Sequence, residues 1–253
     1  MLEKWLITIP ELTGDEQRYA YVYVPDNYDE NTRFPVLYMF DGHNLFDDAE
    51  ASFGKSRSML EFMENNNVPL IIAAIECNHH SETDECGGRL SEYSPFDFYD
   101  RHWGNIKGRG KITMDYIVND FKPFIDENYP TLPDRDNTLI SGSSMGGLMT
   151  IYAVMEYNDT FSKGAALSPS IGFGPKKVAD IIKKANLSGK TMLYMDYGEY
   201  EFRSHYIRKS FNDTCGLLLY KNVLLDARIV PEGTHSEASW EKQIPFFLST
   251  LLY

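Results

Sequence analysis

A hydroxyl, a carboxylate and an imidazole are the working parts of acyl transfer, and this chain of 253 residues presents them in that order. The hydroxyl is Ser144, in Gly142-Ser143-Ser144-Met145-Gly146, a G-x-S-x-G pattern that closes the apolar run Thr138-Leu139-Ile140-Ser141. A serine on a sharp strand-to-helix turn carries its hydroxyl above the sheet edge, and the flanking glycines avoid clashes with the neighbouring strand and the helix start. A base must take its proton, and a third group must orient that base. His235, in Pro231-Glu232-Gly233-Thr234-His235-Ser236-Glu237, is placed to be the base. Between the two lies Asp196-Tyr197-Gly198-Glu199-Tyr200-Glu201, a turn crowded with acids, which leaves more than one choice for the third group.

Such groups meet only if several strand ends share one edge. Apolar runs bounded by turn residues occur at 5–9, 18–24, 35–40, 70–75, 138–141, 163–167, 193–196 and 227–230. The later ones are short, rich in Val, Ile and Leu, and mostly separated by helical stretches, the pattern of a parallel sheet covered on both faces. Helices are expected over 58–65, 113–128, 147–157, 176–185, 202–220 and 240–251. In the second of these, Met114, Ile117, Val118, Phe121, Phe124 and Ile125 form one stripe, and Pro123 should bend or split the helix. The expectation is an α/β fold in one domain over 1–253, with about eight strands, an antiparallel start and helices on both faces. The order Ser, acid, His is that of α/β-hydrolases.

A formal net charge of -13 argues against nucleic acid or an anionic membrane as partner. No run approaches the roughly 18 apolar residues of a membrane span, and the start lacks the apolar core of a signal peptide. Three cysteines, Cys77, Cys86 and Cys215, cannot all pair within one molecule, so a cytoplasmic location is expected. Cys77, His79, His80, Cys86 and Glu76 show no recognised metal-ligand spacing, and no metal site is expected.

The interval 77–111 breaks the rhythm: it is long and rich in glycine and aromatic residues. Long insertions of this kind are often functional. It starts where a parallel strand ends, so it is expected to overhang the site, with Tyr93, Phe96, Phe98, Tyr99 and Trp103 lining a pocket or anchoring the loop. Arg89 is suited either to a substrate anion or to an ion pair within the loop.

Four motifs together resemble the esterase D-like esterase family of α/β-hydrolases: Asp41-Gly42-His43-Asn44-Leu45-Phe46-Asp47, Arg89-Leu90-Ser91-Glu92-Tyr93-Ser94-Pro95, Gly142-Ser143-Ser144-Met145-Gly146-Gly147, and Gly233-Thr234-His235-Ser236-Glu237 with Trp240. That family includes feruloyl and acetylxylan esterases, enterochelin-type siderophore esterases and S-formylglutathione hydrolases. The resemblance implies Ser144 as nucleophile and His235 as general base. It implies Glu201 as the acid, through the family's Gly-x-x-acid turn at Gly198-Glu199-Tyr200-Glu201, with Asp196 as runner-up. The implied oxyanion donors are the N–H of Met145 and one from the Gly42-His43 turn; the family more often carries Gln where His43 stands. The implied activity is a cofactor-free serine esterase, with acetyl or feruloyl esters of saccharides preferred as substrates. Siderophore ester or thioester hydrolysis and acyltransfer are the alternatives within enzymes, and a non-catalytic binding module is the alternative outside them.

Overall fold

The computed structural model describes residues 1–26, 29, 31–78 and 88–252. The alternating segment at the start becomes β1 (Leu2–Thr8) and β2 (Gln17–Tyr23), joined through the short helix α1 (Pro10–Thr13) and paired antiparallel from Leu2 opposite Tyr23 to Thr8 opposite Gln17. The continuous apolar runs become β3 (Val36–Phe40) and β4 (Ile71–Ile75), buried along their whole length. A separate hairpin, β5 (Phe98–Asp100) with β6 (Gly104–Ile106), lies outside the main sheet. The sheet is completed by β7 (Thr138–Ser143), β8 (Lys163–Leu167), β9 (Met192–Gly198) and β10 (Leu224–Val230). Its order is β1-β2-β4-β3-β7-β8-β9-β10, antiparallel at β1-β2 and β2-β4 and parallel from β4 to β10. This is the mostly parallel eight-stranded sheet expected from the apolar runs.

Successive residues of a strand point to opposite faces, and the core divides accordingly. Val36, Tyr38 and Phe40 join one hydrophobic cluster with residues of α4 (Gly110–Tyr116), α5 (Lys122–Asn128), α6 (Met145–Glu156) and α7 (Pro175–Lys184). Leu37 and Met39 join the other, with Met59 and Met63 of α2 (Met59–Asn66) and Ile244, Phe247, Leu248 and Leu251 of the C-terminal helix. Each fully buried Leu, Ile or Phe contributes about 1.5–3 kcal/mol.

Three helices differ from the sequence expectation. The segment at 113–128 starts earlier, at Gly110, and contains a π-helical stretch, Ile117–Phe121, between α4 and α5. Pro123 has no N–H and would press on the carbonyl four residues back; it sits in the first turn of α5, and the widened turn precedes it. The segment at 202–220 opens as a 3-10 turn, Glu201–Arg203, before Ser204 caps α8 (His205–Tyr220). The segment at 240–251 is two helices, α9 (Glu237–Glu241) and α10 (Ile244–Leu251), with Pro245 in the first turn of the second.

The interval 77–111 is not structureless where it is described: it contains α3 (Gly88–Glu92) and the β5–β6 hairpin, with Phe98 packed 4.6 Å from Phe173. His79, His80 and Cys86 lie outside the described residues. Among the described residues no group of three or more His, Cys, Asp or Glu is placed to hold a metal ion, and no helix is long and apolar enough to cross a membrane.

The topology sets where a ligand can enter. From β3 the chain goes through α2 to β4 on one side; from β7 it goes through α6 to β8 on the other. Connections that leave in opposite directions open a crevice at the carboxyl ends of the two strands. Asp41 and Ser144 follow those two strand ends directly.

Candidate active site

Ser144 sits between the last residue of β7 and the first of α6, at φ 57 and ψ −117. A non-glycine residue at positive φ is strained by about 1–3 kcal/mol and persists only where its surroundings over-determine it. Here its N–H donates to Leu167 O at 2.9 Å, and its carbonyl accepts from Ser170 N at 2.9 Å. A Cβ on Gly142 would lie 2.6 Å from the carbonyl carbon of Gly146, so the elbow closes only with glycine there.

A second close approach joins the other two groups. A Cβ on Gly198, at the end of β9, would lie 2.3 Å from Gly233 O in the loop after β10. The contact is fixed by Tyr200 N donating to Gly233 O at 3.1 Å and Glu199 N to Val230 O at 2.9 Å. Glu201 and His235, each a few residues beyond this joint, therefore face one another. Glu201 Oε2 stands 2.5 Å from His235 Nδ1, and His235 Nε2 stands 2.9 Å from Ser144 Oγ. The other oxygen, Oε1, accepts from Ser168 Oγ at 2.6 Å and Gly198 N at 2.9 Å. Burial alone would raise the Glu201 pKa, but the hydrogen bonds from His235, Ser168 and Gly198 prevail and hold it below the ordinary carboxyl value.

Asp196 has another environment. It is buried, accepts from Tyr194 Oη at 2.9 Å and Ser168 N at 3.1 Å, and has no hydrogen bond to His235. Burial, with a smaller contribution from the Glu201 charge, outweighs the lowering effect of those two bonds and raises its pKa to about 6.

Met145 is the first residue of α6, so its N–H has no partner within the helix. Across the crevice, Asp41 is left-handed (φ 61) and starts the 3-10 turn Gly42–Asn44. The His43 ring makes a 2.9 Å contact through Nε2 with Ser52 Oγ. Between these walls lies a cleft of about 440 Å³ lined by His43, Phe53, Arg89, Ser144, His235 and Trp240, among others.

Arg89 forms an ion pair, but across to Asp41 after β3 and not within its own loop: Nε and Nη2 reach the Asp41 carboxylate at 2.6 and 2.7 Å, while the side chain remains part of the cleft wall. Burial would raise the Asp41 pKa, but Arg89 outweighs it, with help from His43 and Arg57, and the value falls to about 2. Tyr93 does not line the cleft. It is buried with its ring 4.9 Å from Phe40, and its hydroxyl accepts from Asp41 N at 3.2 Å, behind the wall. Trp103 adjoins the turn of the β5–β6 hairpin, half exposed against His102, and is also absent from the cleft lining.

The contacts made by Ser168 and Ser170 carry no signal in the spacing of motifs. Ser168 joins Glu201 to the indole of Trp240, whose Nε1 donates to its Oγ at 3.0 Å. Trp240 meets the His235 ring edge-on at 5.0 Å. Ser170 Oγ lies 3.3 Å from Ser144 Oγ.

The family model described as "Putative esterase" matches residues 13–250. The chain belongs to this esterase family. The esterase is 27% identical over 203 residues to the uncharacterized protein YbbA of Bacillus subtilis (strain 168), covering 78% of this chain and 73% of that one. Its fold is similar to that of the siderophore hydrolase EstA from Aspergillus nidulans, with TM-score 0.73 at 16% identity, over 100% of this chain and 95% of that one. It is also similar to a ferulic acid esterase, with TM-score 0.66 at 15% identity, over 100% and 97% of the two chains. The sheet and its helices are those of an α/β-hydrolase, and the esterase is an ester hydrolase.

Proposed function

We propose that the esterase cleaves carboxylic esters through an acyl-enzyme on Ser144, with His235 as general base and Glu201 as the acid. The observation that carries this reading is the unbroken series Glu201 Oε2, His235 Nδ1, His235 Nε2, Ser144 Oγ, with contacts of 2.5 and 2.9 Å. With its proton on Nδ1, His235 donates to Glu201 and accepts from Ser144. Ser144 Oγ attacks the ester carbonyl carbon while Nε2 takes its proton. The tetrahedral intermediate collapses, the carbon–oxygen bond to the alcohol breaks, and the imidazolium gives its proton to the leaving alcohol. Water then repeats the sequence on the acyl-enzyme and releases the acid. Glu201 holds the ring in the required tautomer and stabilises the imidazolium, and the Met145 N–H with one from the Gly42-His43 turn receives the oxyanion. Losing one such donor typically lowers kcat about 100- to 1,000-fold.

The preferred substrates are acetyl or feruloyl esters of saccharides; the fold shared with a ferulic acid esterase and a cleft of about 440 Å³ support an acyl group as large as feruloyl. A siderophore ester is the second reading, favoured by the likeness to the siderophore hydrolase over 95% of that chain. One domain over 1–253 and a reducing, cytoplasmic setting complete the proposal. The test is turnover of p-nitrophenyl acetate and butyrate, methyl ferulate and a catecholate trilactone by the wild type and by Ser144→Ala. Turnover abolished by the substitution supports the reading, and turnover retained by Ser144→Ala overturns it. The substrate with the highest kcat/KM decides between the two acyl classes.

A further inference from the structure

Ser143, the residue before the proposed nucleophile, is held by two guanidinium groups. Arg57 Nη2 donates to its Oγ at 2.5 Å, and Arg89 Nη2 donates to its carbonyl oxygen at 3.3 Å. The two arginines reach opposite sides of the site. Arg89 is the bidentate partner of Asp41, from which the Gly42–Asn44 turn begins. Arg57 lies over the Trp240 indole, its guanidinium carbon 5.5 Å from the ring centroid. That indole meets the His235 ring and donates to Ser168, which in turn donates to Glu201. One continuous set of contacts thus links the oxyanion-side turn, the elbow, the base and the acid, and Arg57 joins its two halves.

Arg57 is poorly explained as a device for stability. It is 2% exposed, and neither Nε nor Nη1 has a hydrogen-bond partner among the described residues. A buried charge so sparsely satisfied is unfavourable, and an apolar side chain of similar volume would fill the place without that penalty. Asp41 and Glu237 are near enough to act on it electrostatically, but Asp41 is already engaged by Arg89. What the guanidinium does supply is a rigid planar donor that reaches Ser143 and lies over the Trp240 ring.

We infer that Arg57 is a positioning residue for ester cleavage, acting through Ser143 and Trp240 to fix the nucleophile against its base. The inference rests on the proposed roles of Ser144 and His235. Misplacement of reacting groups by about 1 Å lowers turnover about 100-fold without a matching change in substrate affinity. Arg57→Met is therefore expected to lower kcat about 10- to 100-fold, with KM within about threefold of wild type, per active site titrated with a fluorophosphonate. Arg57→Lys, which keeps a cation and a donor but loses the planar face, should recover part of the loss. Ser143→Ala removes the same contact from the other side and should lower kcat about 10-fold; the double variant should be no worse than Arg57→Met alone, as expected for partners in one interaction.

The inference is overturned if folded Arg57→Met, or Ser143→Ala, keeps kcat within about twofold of wild type, or if the two losses simply multiply. Should Arg57→Met fail to fold, Ser143→Ala and Arg57→Lys decide by the same kcat criterion. Ser144→Ala is measured alongside. If it retains turnover, the reading of the site has failed; if it is inactive while Ser143→Ala and the Arg57 variants match wild type, only the present inference has failed.

Discussion

Replacing Glu201 by Gln should harm turnover more than replacing it by Ala, and the hydrogen bonds around the carboxylate give the reason. Oε1 accepts from two donors, Ser168 Oγ at 2.6 Å and Gly198 N at 2.9 Å. Ser168 Oγ itself accepts from Trp240 Nε1, so its own proton is free to point at Glu201. An amide NH2 cannot occupy a place that faces two donors. The Gln oxygen must stay there, and its NH2 takes the position 2.5 Å from His235 Nδ1. Nδ1 must then accept, which moves the ring proton to Nε2, and Nε2 donates to Ser144 instead of accepting from it. In the chymotrypsin-type triad the corresponding tautomer inversion lowers kcat about 10,000-fold, equivalent to about 5.5 kcal/mol. Glu201→Ala leaves the half-exposed ring free to adopt either tautomer with water as partner, so its loss should be smaller than that of Glu201→Gln. The assay is kcat/KM on a p-nitrophenyl ester with Tm measured on the same preparations, and Asp196→Asn as the parallel control. Asp196→Asn should stay within about threefold of wild type, because its carboxyl has no bond to His235. The reasoning is refuted if Glu201→Gln proves more active than Glu201→Ala, or if Asp196→Asn alone abolishes turnover.

Asp196 also makes a prediction about stability. Its folded-state pKa of about 6 stands above the ordinary 3.8, so the stability contributed by its protonated form is fully present below pH 3.8 and is lost as pH rises through 6. The difference of about two pK units corresponds to at most about 3 kcal/mol. Asp196→Asn removes that penalty, so its Tm advantage over wild type should be absent near pH 4 and fully developed by pH 7; an advantage independent of pH would refute the buried-carboxyl account. Gly198→Ala places a Cβ 2.3 Å from a backbone oxygen that cannot rotate away. It should open the joint between acid and histidine, lowering stability by about 1–3 kcal/mol and kcat about 100-fold; wild-type values in urea unfolding and ester turnover would show that the joint is dispensable.

Much of this esterase was legible before any coordinates. Apolar runs between turn residues located all eight strands of the main sheet to within three residues at each end, because strand formation is signalled by composition over five or six positions. The elbow was legible for the same reason, since the glycines that let it close lie within two residues of Ser144. The resemblance pointed to Glu201 over Asp196, and it is Glu201 that touches the histidine. Helix ends were less legible. Pro123 marked a disturbance but not that a π-helical stretch would precede it, and the single helix expected over 240–251 missed the break before Ile244.

The remainder was decided by packing. Tyr93 and Trp103 looked alike as aromatic residues of one insertion, yet one is buried behind the wall with its hydroxyl on Asp41 N and the other is half exposed beside a hairpin turn. Nothing local to Ser168 foretold that it would tie the acid to Trp240, and nothing local to Arg57 foretold that it would lie beneath Ser143. The sequence by itself determined the elements, the sharp turn and the types of group available for acyl chemistry, because helix, strand and turn preferences act over neighbouring residues. Which groups meet was left to the tertiary structure. The histidine and serine are 91 residues apart, and Arg57 and Ser143 are 86 apart, so their contacts exist only once the two-faced core has set the strand order.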